Sequence, residues 1–95
     1  MRTDSDIDNE YLLELQDRIS QNWRPPVISA KTTVYFKIRK DGKIVRLMVK
    51  EPSGNKRFDM SAFNAVRASD PVPPLPDDFK NDNLGVYLDF IYEND

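Results

Sequence analysis

Two stretches of the 95-residue chain repeat their apolar side chains with the period of a helix, and three alternate with the period of a strand. Tyr11, Leu12, Leu15, Ile19 and Trp23 recur at helical spacing, with Glu14, Asp17, Arg18 and Gln21 between them. Asp8 is placed to cap the free amides of that helix, and Ile7 and Leu12 stand at the two positions of a hydrophobic staple. Pro25-Pro26 cannot continue it, so the first helix is expected over about 8–22. Val34, Phe36 and Ile38 then alternate with Tyr35, Lys37 and Arg39, and Asp41-Gly42 supplies a tight turn. Lys43 to Lys50 is the return strand. Val45, Leu47 and Val49 face the core in the simplest register, or a bulge brings Ile44 onto that face. After Pro52-Ser53-Gly54, Asp59 is read as the cap of a second helix ending near Ala68, with Phe58 and Phe63 as its staple. Pro71-Val72-Pro73-Pro74-Leu75-Pro76 is an extended connector. A last strand runs from Leu84 to Tyr92.

The order helix, strand, strand, helix, strand predicts an α+β fold. Its three-stranded antiparallel/mixed sheet has order 2-1-3, a split arrangement with both helices on one face. Leu12, Leu15, Ile19, Phe63 and Val66 are expected to bury against Val34, Phe36, Ile38, Leu47, Val86, Leu88 and Phe90. Residues 1–95 form a single domain with residues 1–7 as a flexible lead. In this order the third strand is an edge, guarded only by Asp89. An open edge suits pairing with an extended peptide, or is covered by a loop, a terminus or a second copy of the chain.

Composition narrows the chemistry. The chain has no cysteine and no histidine, which removes disulfides, thiolate metal sites and the commonest general base. Its net charge is -2, arranged as an acidic start, a basic middle from Lys37 to Arg57 and an acidic end from Asp77 to Asp95. Asp77-Asp78, or Asp59 with Glu51, are the acid pairs that could be proposed as an acid–base couple. The first pair reads as solvated and Asp59 as a cap, so no catalytic residue, cofactor or metal site is expected. Tyr35, Lys37, Arg39 and Arg46 give the hairpin a basic, aromatic face. The acidic ends argue against nucleic acid as its partner. The spacing of Trp23 from Ile19 and Leu15 favours core packing over ligand contact.

Tyr11-Leu12, Ile19 and Asn22-Trp23-Arg24-Pro25-Pro26 resemble the opening of the C-terminal domains of the TonB/TolA family. Asp41-Gly42-Lys43-Ile44, Ser53-Gly54, Phe58-Asp59, Ala62, Ala65-Val66, the proline connector with Phe79, and Leu84 to Tyr92 follow in that family's order. Two departures are Pro52-Ser53, where a serine pair is usual, and Val72, where an aromatic residue is common.

That resemblance implies a periplasmic domain of a TonB-like energy transducer, a longer protein anchored in the inner membrane. Motor proteins of the inner membrane drive such a transducer with the proton gradient, through a part of the protein upstream of this domain. It also implies a partner surface formed by Leu84, Gly85, Val86, Tyr87, Leu88, Asp89, Phe90, Ile91 and Tyr92, which pairs with a short segment of an outer-membrane TonB-dependent receptor. The alternatives are a TolA-like role in envelope integrity and a non-transport adaptor dimerising through the third strand. The domain is then a monomer or a strand-exchanged homodimer.

Overall fold

A computed structural model of the chain describes residues 1–94, so Asp95, counted above in the acidic end, lies outside the described residues. The elements are β1 (Arg2–Thr3), α1 (Asn9–Gln21), β2 (Ala30–Arg39), β3 (Ile44–Glu51), α2 (Lys56–Ala68) and β4 (Asn83–Tyr92). The sheet order is β1-β4-β2-β3, with every neighbouring pair antiparallel. The three strands read from the sequence take their expected places, β2 lying between β3 and β4. The expected count of three is corrected to four: Arg2–Thr3, inside the lead segment, pairs with Tyr87 and Val86. Two residues have no periodicity to read, and only their proximity to the edge makes them a strand.

Asp8 caps α1 as expected, accepting a hydrogen bond from the amide of Glu10 at 3.1 Å. The second cap is corrected. Asn55, not Asp59, precedes α2, and its side chain accepts from the Phe58 amide at 3.0 Å. Asp59 instead accepts from the Ser53 amide at 2.9 Å and ties down the loop ahead of the helix. Starting α2 this early turns Phe58 fully inward and leaves Phe63 only half-buried, reversing the expected weight of the two.

Tyr11, Leu15 and Ile19 of α1 and Ala62, Ala65 and Val66 of α2 share one core with Val34, Phe36, Ile38, Leu84, Val86, Leu88 and Phe90. Leu12 and Leu47, both expected inside, lie at its margin. The even-numbered residues of β2 and β4 therefore face the helices, and the odd-numbered ones form the opposite, uncovered face. In β3 the bulged register is the one found. Ile38 pairs with Ile44 and Lys37 with Arg46, which leaves Val45 as the extra residue, 46% exposed, and returns Ile44 to the core side.

The proline connector is stapled to the hairpin turn. Val72 donates its amide to the carbonyl of Gly42 (2.9 Å), Leu75 donates to that of Lys40 (3.0 Å), and the Tyr11 hydroxyl donates to that of Pro73 (2.6 Å). Val72 and Leu75 are buried, so this segment closes the core. Gly42 has a φ of +93°, and a Cβ there would lie 2.1 Å from the Val72 carbonyl oxygen. Turn geometry and close approach both require glycine at this position.

Candidate functional site: the outer edge of strand β4

On a regular antiparallel strand the N–H and C=O of one residue point to the same side, and those of the next to the other side. The Gly85 carbonyl accepts from the Asp4 amide (3.0 Å), and the Gly85 amide donates to Asp4 Oδ1 (2.9 Å). Both backbone groups of Gly85 thus point away from β2. The β2–β4 register is unbroken from Arg39↔Asn83 to Ala30↔Tyr92, so Tyr87, Asp89 and Ile91 share that outward direction. Leu84, Val86, Leu88 and Phe90 send their backbone groups to β2 and their side chains into the core, with Tyr92 half-buried on the same side.

The edge is partly covered, and the cover is a terminus, one of the alternatives the sequence left open. β1 covers Gly85 to Tyr87, and the carboxylate of Asp4 sits over Gly85, where a Cβ would come within 2.5 Å of Oδ2. Arg2 lies over the Tyr87 ring, 5.0 Å from its centroid. Among the described residues, the outward backbone groups left without a partner strand are those of Asn83, Asp89 and Ile91, of which the last two lie together. Asp89, expected to guard this edge, has its carboxylate turned onto the sheet, where it accepts from the Thr33 hydroxyl at 2.6 Å. Ile91 is 55% exposed. The opposite edge is less suited to a new strand. Its pairing with β2 shifts register near both ends, and irregular edges of this kind deter pairing.

Beside the open backbone lies a groove of about 230 Å³ between α1 and β4, lined by Gln16, Ile19, Ser20, Trp23 and Leu88–Ile91. Trp23 is part of its lining. Its ring stands edge-on to Phe90 (5.1 Å) and Phe58 (6.0 Å), and Nε1 donates to the Ser61 hydroxyl (3.1 Å). Trp23 is therefore partly core, as its spacing predicted, and partly wall of the groove. Sequence reasoning missed this wall because helical spacing does not say which sheet edge a helix overhangs. A larger depression of about 540 Å³, between Ser5–Asp8 and Pro76–Asn81, touches no free backbone edge of the sheet.

On the uncovered face Tyr35 and Tyr87 pair with ring centroids 4.7 Å apart, and Lys37 stands opposite Arg46. Burial first, then the Asp4 carboxylate, holds the Tyr35 hydroxyl above its ordinary pKa. Asp4, Glu51 and Asp89 are interleaved with the basic residues, and Arg2 reaches Glu51 at 3.8 Å. A face of mixed sign differs from the basic groove that follows a phosphate backbone. Among the described residues no group of three or more carboxylates is placed to hold a metal ion, and no helix is long and apolar enough to cross a membrane.

The family model described as TonB C terminal matches residues 8–90. A solution structure of TolAIII bound to a peptide derived from the N-terminus of TolB is similar to this chain. Its TM-score is 0.75 and its identity 27%, over 95% of this chain and 78% of that one. Two solution structures of the Helicobacter pylori TonB C-terminal domain have TM-scores of 0.70 at 22% identity, a likeness of fold. They span residues 179–285, with 94% of this chain and 87% of that one covered, and residues 194–285, with 90% and 96% covered. No curated protein matches the chain significantly in sequence. The family match spans most of the sequence and includes α1, the hairpin, α2 and nearly all of β4; the chain belongs to the TonB C-terminal family.

Proposed function

We propose that this domain binds an extended segment of a cell-envelope protein by adding it as a strand to the outer edge of β4. The observation that carries the reading is the outward-facing backbone of Asp89 and Ile91, which no strand pairs among the described residues, beside the groove under α1. In the reading taken first, the partner is an outer-membrane TonB-dependent receptor. The domain is then the periplasmic end of an inner-membrane-anchored transducer, whose motor proteins act through the upstream part of the protein. Leu84–Tyr92 form the binding strand, the even residues anchoring it in the core and the odd residues offering backbone bonds. Hydrogen bonds loaded in shear along this strand transmit work from the anchor to the receptor while the pair is engaged.

The outward N–H and C=O groups of Asp89 and Ile91 allow up to four new bonds, roughly 2–6 kcal/mol gross at 0.5–1.5 kcal/mol each. Ordering the segment and losing its free motion take back several kcal/mol. Backbone pairing alone is thus a weak, reversible contact, and apolar burial against Ile19, Trp23 and Ile91 supplies the rest.

The test is a peptide array of envelope-protein segments from the same genome, with hits measured by the fluorescence of Trp23, the only tryptophan in the chain. Asp89→Pro removes an outward amide without breaking a β2–β4 bond. It should reduce binding at least tenfold while far-UV circular dichroism is unchanged. Undiminished binding by the folded variant would refute strand addition at β4.

The likeness to TolAIII, solved with a peptide from the N-terminus of TolB, supports a second reading, an envelope-integrity role with a different envelope protein as partner. A strain lacking the protein loses receptor-dependent uptake in the first reading and becomes sensitive to detergent in the second. Dimerisation through β4 predicts instead a doubled mass in solution that falls when a strand-adding peptide is supplied.

A further inference from the structure

We infer that β1 is a resident strand that an incoming partner must displace, so that the N-terminal segment tunes the affinity of the β4 edge. The inference rests on the strand-addition reading and asks how much of the edge a partner obtains. β1 and any added strand use the same outward backbone groups of β4. β1 takes those of Gly85 and Tyr87 and leaves those of Asp89 and Ile91. A partner confined to the open part has too few bonds for a durable contact, whereas one that also takes Gly85 and Tyr87 doubles them.

The hold of β1 on this edge is light. It is two residues long, Arg2 and Asp4 are exposed, and its ion pair with Glu51 joins side chains that are 66% and 68% exposed. Its one well-shaped element is Asp4. The amide donates to the Gly85 carbonyl, and the carboxylate accepts from the Gly85 amide in the notch left by the missing side chain. Such a strand opens at little cost, and the apparent affinity of the full edge is its intrinsic affinity multiplied by the fraction of molecules in which β1 is open. β1 is also a template for its competitor. The full edge favours an antiparallel segment with a carboxylate over Gly85, a cation over Tyr87 and apolar side chains opposite Phe90 and Tyr92 on the groove side.

The experiment uses the full chain and its Asp4→Pro variant, which loses both bonds to Gly85 at an exposed position. The probe is an acetylated, amidated octapeptide of sequence Val-Thr-Val-Thr-Met-Arg-Thr-Asp. Extended in the register of β1, its last three residues lie opposite Tyr87, Val86 and Gly85, and its valines lie opposite Tyr92 and Phe90. Nitrogen-edited NMR titration should give at least fivefold tighter binding to Asp4→Pro than to the natural chain. Amide shifts should extend from Ile91 to Gly85 in both proteins. Equal affinities, with shifts confined to Asp89 and Ile91, would overturn displacement and leave strand addition standing. Absence of shifts along β4 in both proteins would overturn strand addition and this inference together.

Discussion

Replacing Gly42 by alanine tests the junction that holds the hairpin to the proline connector, and the structure sets its cost. The residue has a φ of +93°, which for an L-residue costs about 1–2 kcal/mol. The new methyl would lie 2.1 Å from the Val72 carbonyl oxygen, so the connector must retreat by more than about 1 Å to reach ordinary contact. That retreat breaks the bond from the Val72 amide to the Gly42 carbonyl, about 0.5–1.5 kcal/mol, and loosens a buried valine, about 1 kcal/mol more. Gly42→Ala should therefore cost about 3–4 kcal/mol, a large part of the roughly 5–14 kcal/mol expected for a domain this size. Gly54 supplies the control. Its φ is also +93°, yet a Cβ there meets nothing within 4 Å, so Gly54→Ala should cost only about 1–2 kcal/mol. Urea unfolding followed by circular dichroism measures both, and the Gly42→Ala midpoint should fall by roughly 2 M. Equal losses for the two variants would refute the clash and the role given to the connector.

Three further outcomes follow from the same geometry. Burial, then Glu14, pushes the Tyr11 hydroxyl up to about 12 from 10.0, so its contribution is complete below pH 10 and is lost as pH rises toward 12. The stability difference between the natural chain and Tyr11→Phe should be about 1 kcal/mol at pH 7, reflecting the bond to Pro73, and shrink between pH 10 and 12; a difference constant to pH 12 would contradict it. Gly85→Ala puts a Cβ 2.5 Å from the flexible, exposed Asp4 carboxylate, so β1 should detach with less than about 1 kcal/mol lost overall. Hydrogen exchange should then quicken at residues 85 and 87 and stay slow at Val86 and Leu88, which pair with β2; unchanged exchange at 85 and 87 would refute it. Trp23→Phe keeps an aromatic ring in the core but shortens the groove wall and removes the donor to Ser61. It should weaken segment binding by a larger factor than it lowers stability, and calorimetric titration beside thermal melting separates the two.

Much of this fold is legible in the sequence because its elements satisfy several rules at once. Asp8 with Ile7 and Leu12 fixes the start of α1, and alternation from Val34 to Ile38 fixes the inward face of β2. The bulge near Val45 is legible as one of two registers, since Ile44 is too apolar to face water. The second cap is misread because Phe58-Asp59 with Phe63 imitates a staple. Only the fold reveals Asn55 reaching the Phe58 amide and Asp59 turned back to Ser53. The β4 edge follows from strand order, but its partial cover does not. Arg2-Thr3-Asp4 carries no pattern, and its place depends on Gly85 lacking a side chain across the sheet. The groove is likewise invisible in the sequence, because it needs α1 and β4 brought side by side.

The most direct test of strand addition is amide hydrogen exchange at Asp89 and Ile91, with and without a saturating partner segment from the array. Their N–H groups face outward and, among the described residues, have no partner strand beyond the end of β1. Both amides should exchange quickly in the free domain and at least tenfold more slowly in the complex. Saturated binding that leaves both exchanging at the free rate would place the partner elsewhere and contradict the account.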